Sequence, residues 1–166
     1  MSGPCGAGRE LVSSSRMTLL DLQVPGQAHA GKRLHGDPVI WLATTTRTGH
    51  PHAVPVWFLW HDPVITLFTR PDTAKVAHLR ARPRVALHLD TAGHGADVVL
   101  LRGSATLDDP EDRDVVAFAT KYEPMLGGQP FAQWRETFSL PVLVRVESIV
   151  AWRATPEGLD QQVVGR

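Results

Sequence analysis

The stretch VPVWFLW, residues 54–60, carries no charged side chain and has a proline in its second position. A run this apolar predicts a β-strand that is buried on both faces. Proline lacks the backbone N–H that a sheet ladder uses, so within sheets it is confined to edges, bulges and strand ends. The strand must therefore be covered on both faces and still have a place where a backbone donor is absent.

Alternation and turn residues predict five further strands around this one. Residues 38–45 form the other arm of a hairpin about the turn TRTGHP, and VITLFT follows the turn at residues 61–63. The remaining strands are RVALHLD, DVVLLRGSATL with Gly103 as a possible bulge, and LPVLVRVESIVAWRA. The first three strands leave no room for helical crossovers, which predicts a mainly β (α+β), six-stranded antiparallel barrel.

Helical spacing appears in four short segments. Residues 27–35 could form a helix before the first strand, and residues 131–138 a helix before the last. In PDTAKVAHLRARP, Asp72 is placed to cap the helix and Pro83 to end it. Residues 108–122 have acidic residues in the first turn. Trp134 and Phe138 are spaced i and i+4, which predicts packing against the barrel rather than a place in a cofactor site.

The predicted strand at 53–60 has an apolar set on each face. The two sets are Val54, Val56, Phe58, Trp60 and Ala53, Pro55, Trp57, Leu59. If one set fills the barrel, the other must meet a ligand, a second subunit or both, because large exposed apolar patches are rare on monomers. The apolar fifth strand and Trp152 near the end of the sixth also need more cover than one barrel provides, and together with this face they favour a dimer.

Length and composition bound the remaining possibilities. The 166 residues predict one domain at 27–154, with a flexible leader at 1–26, in which Met17 is an alternative start, and a tail at 155–166. Seventeen basic and seventeen acidic side chains give no basic excess, which disfavours a nucleic-acid partner. No apolar run reaches the length of a membrane span, and the leader lacks the core of a secretion signal, which favours a cytoplasmic protein.

The segment TRPDTAK is compatible with an anion site. Thr69 and Arg70 end a strand, Asp72 or Thr73 opens a helix, and Lys75 falls in its first turn. A helix N-terminus presents free N–H groups that attract anions, and a lysine there is unusual unless an anion is present. The alternative is a solvated basic surface continuing into the downstream arginines.

Three successive blocks carry a resemblance to a known family. WLATTTRTGHPHAVPVWFLW, TLFTRPDTAKVAHLRARPRVALHLD and VVLLRGSATL resemble the pyridoxamine 5′-phosphate oxidase-like split β-barrel superfamily. The resemblance spans about residues 38–152 and is closest to the deazaflavin branch, which is associated with coenzyme F420. It implies a homodimer with two flavin-type cofactors in grooves at the subunit interface.

The resemblance also implies cofactor-binding residues. The positions that would lie along the tricyclic ring are Val54, Pro55, Val56 and Trp57. Those that would contact the ribityl phosphate are Thr69, Arg70, Thr73 and Lys75. A proline beside the ring fits a strand that borders a ligand groove, and an ordinary edge or bulge is the alternative.

The expected cofactor is coenzyme F420, with FMN as the alternative, because the phosphate-binding residues do not distinguish the two. Typical pyridoxamine phosphate oxidases have an Arg- or Lys-bearing strand where this chain has VPVWFLW, and basic and polar residues near the C-terminus that have no evident counterpart in this sequence, which disfavours that reaction. The expected chemistry is hydride transfer from reduced deazaflavin to an unidentified small acceptor, with His52 and Tyr122 as candidate proton donors. No HExxH motif is present and no metal site is predicted. A non-catalytic carrier of flavin, deazaflavin or haem is the other possibility.

Overall fold

A computed structural model describes residues 18–91 and 93–165. The helices in this part of the chain are α1 (Pro25–Gly36), α2 (Ala74–Ala81), α3 (Asp112–Tyr122) and α4 (Phe131–Thr137). The strands are β1 (Val39–Thr45), β2 (Pro51–Trp57), β3 (Leu59–His61), β4 (Val64–Thr69), β5 (Arg84–Leu89), β6 (Asp97–Thr106), β7 (Leu140–Thr155) and β8 (Gly158–Gly165). Residues 1–17 of the predicted leader, Met17 included, lie outside the described residues.

The strands form one antiparallel sheet in the order β2-β1-β5-β6-β7-β4-β3, with β8 added beside β7. The two edges of this path, β2 and β3, are consecutive in the chain and are joined at Phe58. The sheet therefore curls until its edges approach each other, but β2 and β4 form no ladder. This half-closed barrel confirms the predicted mainly β, split-barrel fold.

The strand count differs from the prediction in two places. The predicted strand at 53–60 is divided at Phe58, and its last residues pair with β4 as β3. The predicted tail forms β8, which pairs with β7 along its whole length after a turn at Pro156 and Glu157. Residues of β8 alternate between half-buried and exposed, and their polarity concealed the strand in the sequence.

Alternate strand residues fill the barrel. Ile40, Leu42 and Leu89 are fully buried in one large apolar cluster. A second cluster is aromatic and lies where α3 and α4 meet β4. Its members are Phe68, Phe118, Tyr122, Phe131 and Trp134, with Trp57 and Phe138 packed against them. No helix among the described residues is long and apolar enough to cross a membrane.

The predicted bulge is present at Gly103. The β6–β7 register shifts between Arg102 and Gly103. A Cβ on Gly103 would lie 2.2 Å from the carbonyl oxygen of Arg145, so only glycine allows this approach of the two backbones.

Helix α2 is opened by Thr73, one of the two residues expected there, and the predicted capping role of Asp72 is wrong. Thr73 makes no side-chain capping hydrogen bond, and the carboxylate of Asp72 binds Arg70 instead. An arginine two residues away offers the carboxylate a stronger, charge-assisted partner than a backbone N–H.

Candidate functional site

A groove of about 340 Å³ opens where the barrel is split. Its lining residues are Val39, Pro55, Val56, Trp57, Phe68, Thr69, Lys75, Trp134 and Phe138. Residues from both faces of β2 take part, which means that the groove runs along the free edge of this strand. Strand β3 pairs with β4 only as far as Thr66, so Phe68 and Thr69 lie beyond that ladder on the opposite side.

The hydrogen-bond register explains the proline in β2. The N–H of Thr46 donates to the carbonyl of His50 at 2.9 Å, which makes this a hydrogen-bonded pair. Such pairs alternate along an antiparallel ladder, so the pair of Trp41 and Pro55 is a non-hydrogen-bonded one. The nitrogen and carbonyl of Pro55 therefore point away from β1, towards the free edge. No ladder bond is lost, because the missing donor lies on the groove side.

Aromatic rings form one wall of the groove. Trp57 stacks on Trp134 with ring centroids 5.5 Å apart, and Trp134 stacks on Phe138 at 4.5 Å. The predicted packing of Trp134 and Phe138 against the barrel is observed, and both side chains also line the groove, which the sequence analysis did not predict. The i, i+4 spacing indicates that two side chains share a face and not what that face meets.

Arg135 holds two parts of this wall together, and the sequence analysis did not identify it. Its guanidinium lies 3.9 Å from the centroid of the Phe68 ring and donates a hydrogen bond to the carbonyl of Phe138. Burial lowers the pKa of this guanidinium, although Asp109 acts in the opposite direction. No motif marks such a residue, because its partners are a ring and a backbone carbonyl.

Lys75 is the only titratable residue that lines the described groove. Its Nζ donates to Oγ1 of Thr69 at 3.1 Å, and Thr69 is 3 % exposed. Within the described residues it has no carboxylate within ion-pair distance. Burial lowers its pKa, because removing an ammonium from water without a counter-charge disfavours the charged form. The groove thus combines an aromatic wall with a partly desolvated cation at one end.

The other predicted phosphate residues lie beside the groove rather than in it. Arg70 directs Nε and Nη2 to the carboxylate of Asp72, at 3.2 and 2.9 Å. The Thr73 hydroxyl donates to the carbonyl of Arg70 at 3.0 Å and lies 3.5 Å from the Thr69 hydroxyl. Val54, the remaining predicted ring residue, is half-buried and outside the lining.

Neither candidate proton donor lies in the groove lining. His52 packs edge-on against His78 with centroids 5.3 Å apart. The Tyr122 hydroxyl accepts the N–H of Phe58 at 2.8 Å and lies 2.7 Å from the carbonyl of Pro38. Burial raises the pKa of Tyr122, so this hydroxyl keeps its proton for a structural hydrogen bond.

Comparison with known proteins supports the fold. The profile of the pyridoxamine 5′-phosphate oxidase family matches residues 27–152. A conserved hypothetical protein from Mycobacterium tuberculosis is 24% identical with TM-score 0.62, covering 78% of this chain and 86% of that chain. An F420 reductase is 20% identical with TM-score 0.55, and the match covers 71% of this chain and 94% of the reductase chain. An FMN-binding protein from Nostoc punctiforme, related to pyridoxamine 5′-phosphate oxidase, is 15% identical with TM-score 0.56. The match covers 84% of this chain and 87% of that protein. No curated protein is a significant match to the chain.

Proposed function

The chain belongs to the pyridoxamine 5′-phosphate oxidase family, and we propose that its groove binds a flavin-type cofactor that exchanges hydride with a small acceptor. One observation carries this proposal: a half-buried lysine without a carboxylate partner in the described residues ends a groove walled by aromatic rings. A flat ring with an anionic group at one end satisfies both features, because rings stack on aromatic side chains and the anion compensates the desolvated ammonium.

The groove lining and its neighbours offer residues that would hold such a cofactor. Pro55, Val56 and Trp57 would border the ring, and the free edge of β2 would offer it backbone carbonyls. Trp134 and Phe138 would cover it from the side of α4. Lys75 and Thr69 would bind the phosphate, with Arg70 and Thr73 next to them.

The cofactor, when bound, supplies the hydride chemistry, and the protein supplies orientation and exclusion of water. The described lining includes no carboxylate or imidazole. A proton needed to complete reduction of an acceptor would therefore come from solvent or from the acceptor itself. This favours an acceptor that receives hydride without a dedicated protein acid, such as a conjugated or quinone-like compound.

Coenzyme F420 is the cofactor that we favour, with FMN as the alternative. Solved structures of similar fold include an F420 reductase and an FMN-binding protein, so the fold is compatible with either. The apolar β2 edge, where pyridoxamine phosphate oxidases carry basic residues, supports the deazaflavin.

We further propose that the protein works as a homodimer through the outer face of its sheet. Cross-strand pairing places an outward row along β2, β1, β5, β6, β7 and β8. The row consists of Pro55, Trp41, His88, Leu100, Val150 and Val163. Leu100 is 37% exposed and Val163 65%. Obligate interfaces bury more than about 2,000 Å² and are apolar, which fits such a row. A stable monomer at micromolar concentration in light scattering would contradict this.

Titration of the purified protein with FMN and with F420, followed by fluorescence, tests cofactor binding directly. Multiple turnovers of reduced cofactor with an added quinone would support an enzyme. Tight binding without turnover across a panel of acceptors would favour the carrier alternative, and binding of neither cofactor would contradict the proposed function.

A further inference from the structure

Two cations are close in sequence at the proposed phosphate-binding end of the groove, but only one of them is available to a ligand. Lys75 lines the groove and contacts the hydroxyl of Thr69. Arg70 directly follows Thr69, yet its Nε and Nη2 both bind the carboxylate of Asp72. The charge of Arg70 is thereby cancelled. The end of the groove carries a net charge of about one positive unit, which is the charge of Lys75.

We propose that Asp72 makes the groove selective for a singly charged phosphate ester over a doubly charged one. The inference rests on the proposed function, because it concerns the phosphate end of the same groove. At neutral pH a phosphate monoester carries a charge of about −1.5 to −2, with a second pKa near 6. A phosphodiester has no second ionisation and carries a single charge.

The contacts of Arg70 account for this selectivity. Lys75 attracts the second negative charge of a monoester, but burying that charge costs additional desolvation, and it gains from Arg70 only if the guanidinium leaves Asp72. The released carboxylate then remains two residues away and repels the ligand. The Arg70 and Asp72 side chains are 54% and 65% exposed, so their pair is screened by water and can exchange with a ligand at modest cost. The net effect is a discrimination of severalfold rather than an absolute one.

The ligand class that fits is a ring cofactor whose phosphate is part of a diester. The phosphate of coenzyme F420 is a diester, whereas that of FMN is a monoester. Asp72 therefore gives a physical reason for this chain to prefer the deazaflavin, independent of the ring itself.

Three ligands with the same ring separate the effect of phosphate charge: riboflavin, FMN and riboflavin 5′-methylphosphate. At pH 8 the wild-type protein should bind the methyl ester at least as tightly as FMN. Asp72→Asn should tighten FMN about two- to fivefold, the methyl ester by less than FMN, and riboflavin not at all. In an Arg70→Ala background, the tightening of FMN binding by Asp72→Asn should fall to less than half of its value, because it depends on the freed guanidinium.

Glu111→Gln is the matched control, since it neutralises another exposed carboxylate that pairs with an arginine, Arg113, outside the groove lining. It should change none of the three affinities. At pH 5 FMN is mostly singly charged, so its difference from the methyl ester should shrink. A wild-type preference for FMN of tenfold or more, or weaker FMN binding by Asp72→Asn, would overturn the inference while leaving cofactor binding intact. Failure of all three ligands to bind would overturn the proposed function as well.

Discussion

The hydroxyl of Tyr122 stands between Phe58 and the chain segment that Phe58 would otherwise pair with. The β1–β2 ladder ends at Val39 and Trp57, and one more step in the same register would pair Pro38 with Phe58. At that step the Phe58 N–H donates to the Tyr122 oxygen at 2.8 Å, and the Pro38 carbonyl lies 2.7 Å from the same oxygen. The hydroxyl thus replaces a rung of the ladder, so that the chain leaves β1 here and crosses to β4 as β3. The split beside the groove begins at this point.

Tyr122→Phe should destabilise the protein by about 1–3 kcal/mol, because it leaves the backbone groups of a buried corner without their partner. Chemical denaturation measures the difference. Thr120→Val is the control on the same helix, since its exposed hydroxyl bonds only the carbonyl of Val116. Equal stability of Tyr122→Phe and the wild type would show that water or the backbone itself closes the gap.

Gly103→Ala should cost about 1–3 kcal/mol, since its Cβ would meet the backbone carbonyl of Arg145, which cannot rotate away. Thermal or denaturant unfolding detects the loss. Gly36→Ala near the end of α1 is the matched control: no atom lies within 4 Å of its Cβ, and the change should be neutral or slightly stabilising. Similar stabilities for both variants would place the bulge elsewhere.

Lys121 should give the protein a recognisable pH dependence. Its Nζ lies 4.2 Å from the Phe58 ring centroid and donates to the Phe58 carbonyl, and burial lowers its pKa from 10.5 to about 8. Between these two values the unfolded chain binds more protons than the folded one, so stability should rise with pH in that window. Below about pH 8 the full cost of burying the charge is present.

Lys121→Met removes this titration while leaving that of Tyr122 in place. The stability of the wild type relative to Lys121→Met should therefore increase as the pH rises from 8 to 10.5. Denaturation midpoints at intervals across this range provide the comparison. Parallel curves for the two proteins would mean that Lys121 has an ordinary pKa in the folded state.

Phe138→Leu should weaken binding of FMN and riboflavin equally, by about two- to tenfold, because an aromatic contact contributes about 0.5–1.5 kcal/mol beyond its area. Phe131→Leu alters the same aromatic cluster outside the groove lining and should lower stability without a comparable loss of affinity. Fluorescence titration of both variants tests this. Greater loss in Phe131→Leu would place the ring elsewhere.

The sequence predicts the barrel because most of its strands have a row of apolar residues that marks their buried face. RVALHLD alternates, and Val85, Leu87 and Leu89 are indeed buried in the structure. Strand β8 escapes prediction because half of its side chains face solvent and it contributes little to the core. The break at Phe58 escapes because nothing in an unbroken apolar run indicates that a tyrosine 64 residues later interrupts its ladder.

The sequence predicts a site residue correctly where its position on the backbone is enough to bring it to the groove. Pro55 and Lys75 reach the groove because strand and helix ends place them there. Arg70 could face either a ligand phosphate or the carboxylate of Asp72, and the sequence does not specify which. In the structure it binds Asp72, which is present whether or not a ligand is bound. The position of Trp134 depends on how α4 docks, which its short sequence does not specify.

The most direct test of the central proposal is the affinity of Lys75→Met for FMN and for riboflavin. Loss of one charge-assisted hydrogen bond to a phosphate should weaken FMN binding by about 1.5–3 kcal/mol, or about ten- to a hundredfold. Riboflavin, which lacks the phosphate, should bind the variant and the wild type alike, and folding should be retained. Equal losses for both ligands, or no loss for either, would contradict the placement of a cofactor phosphate at Lys75.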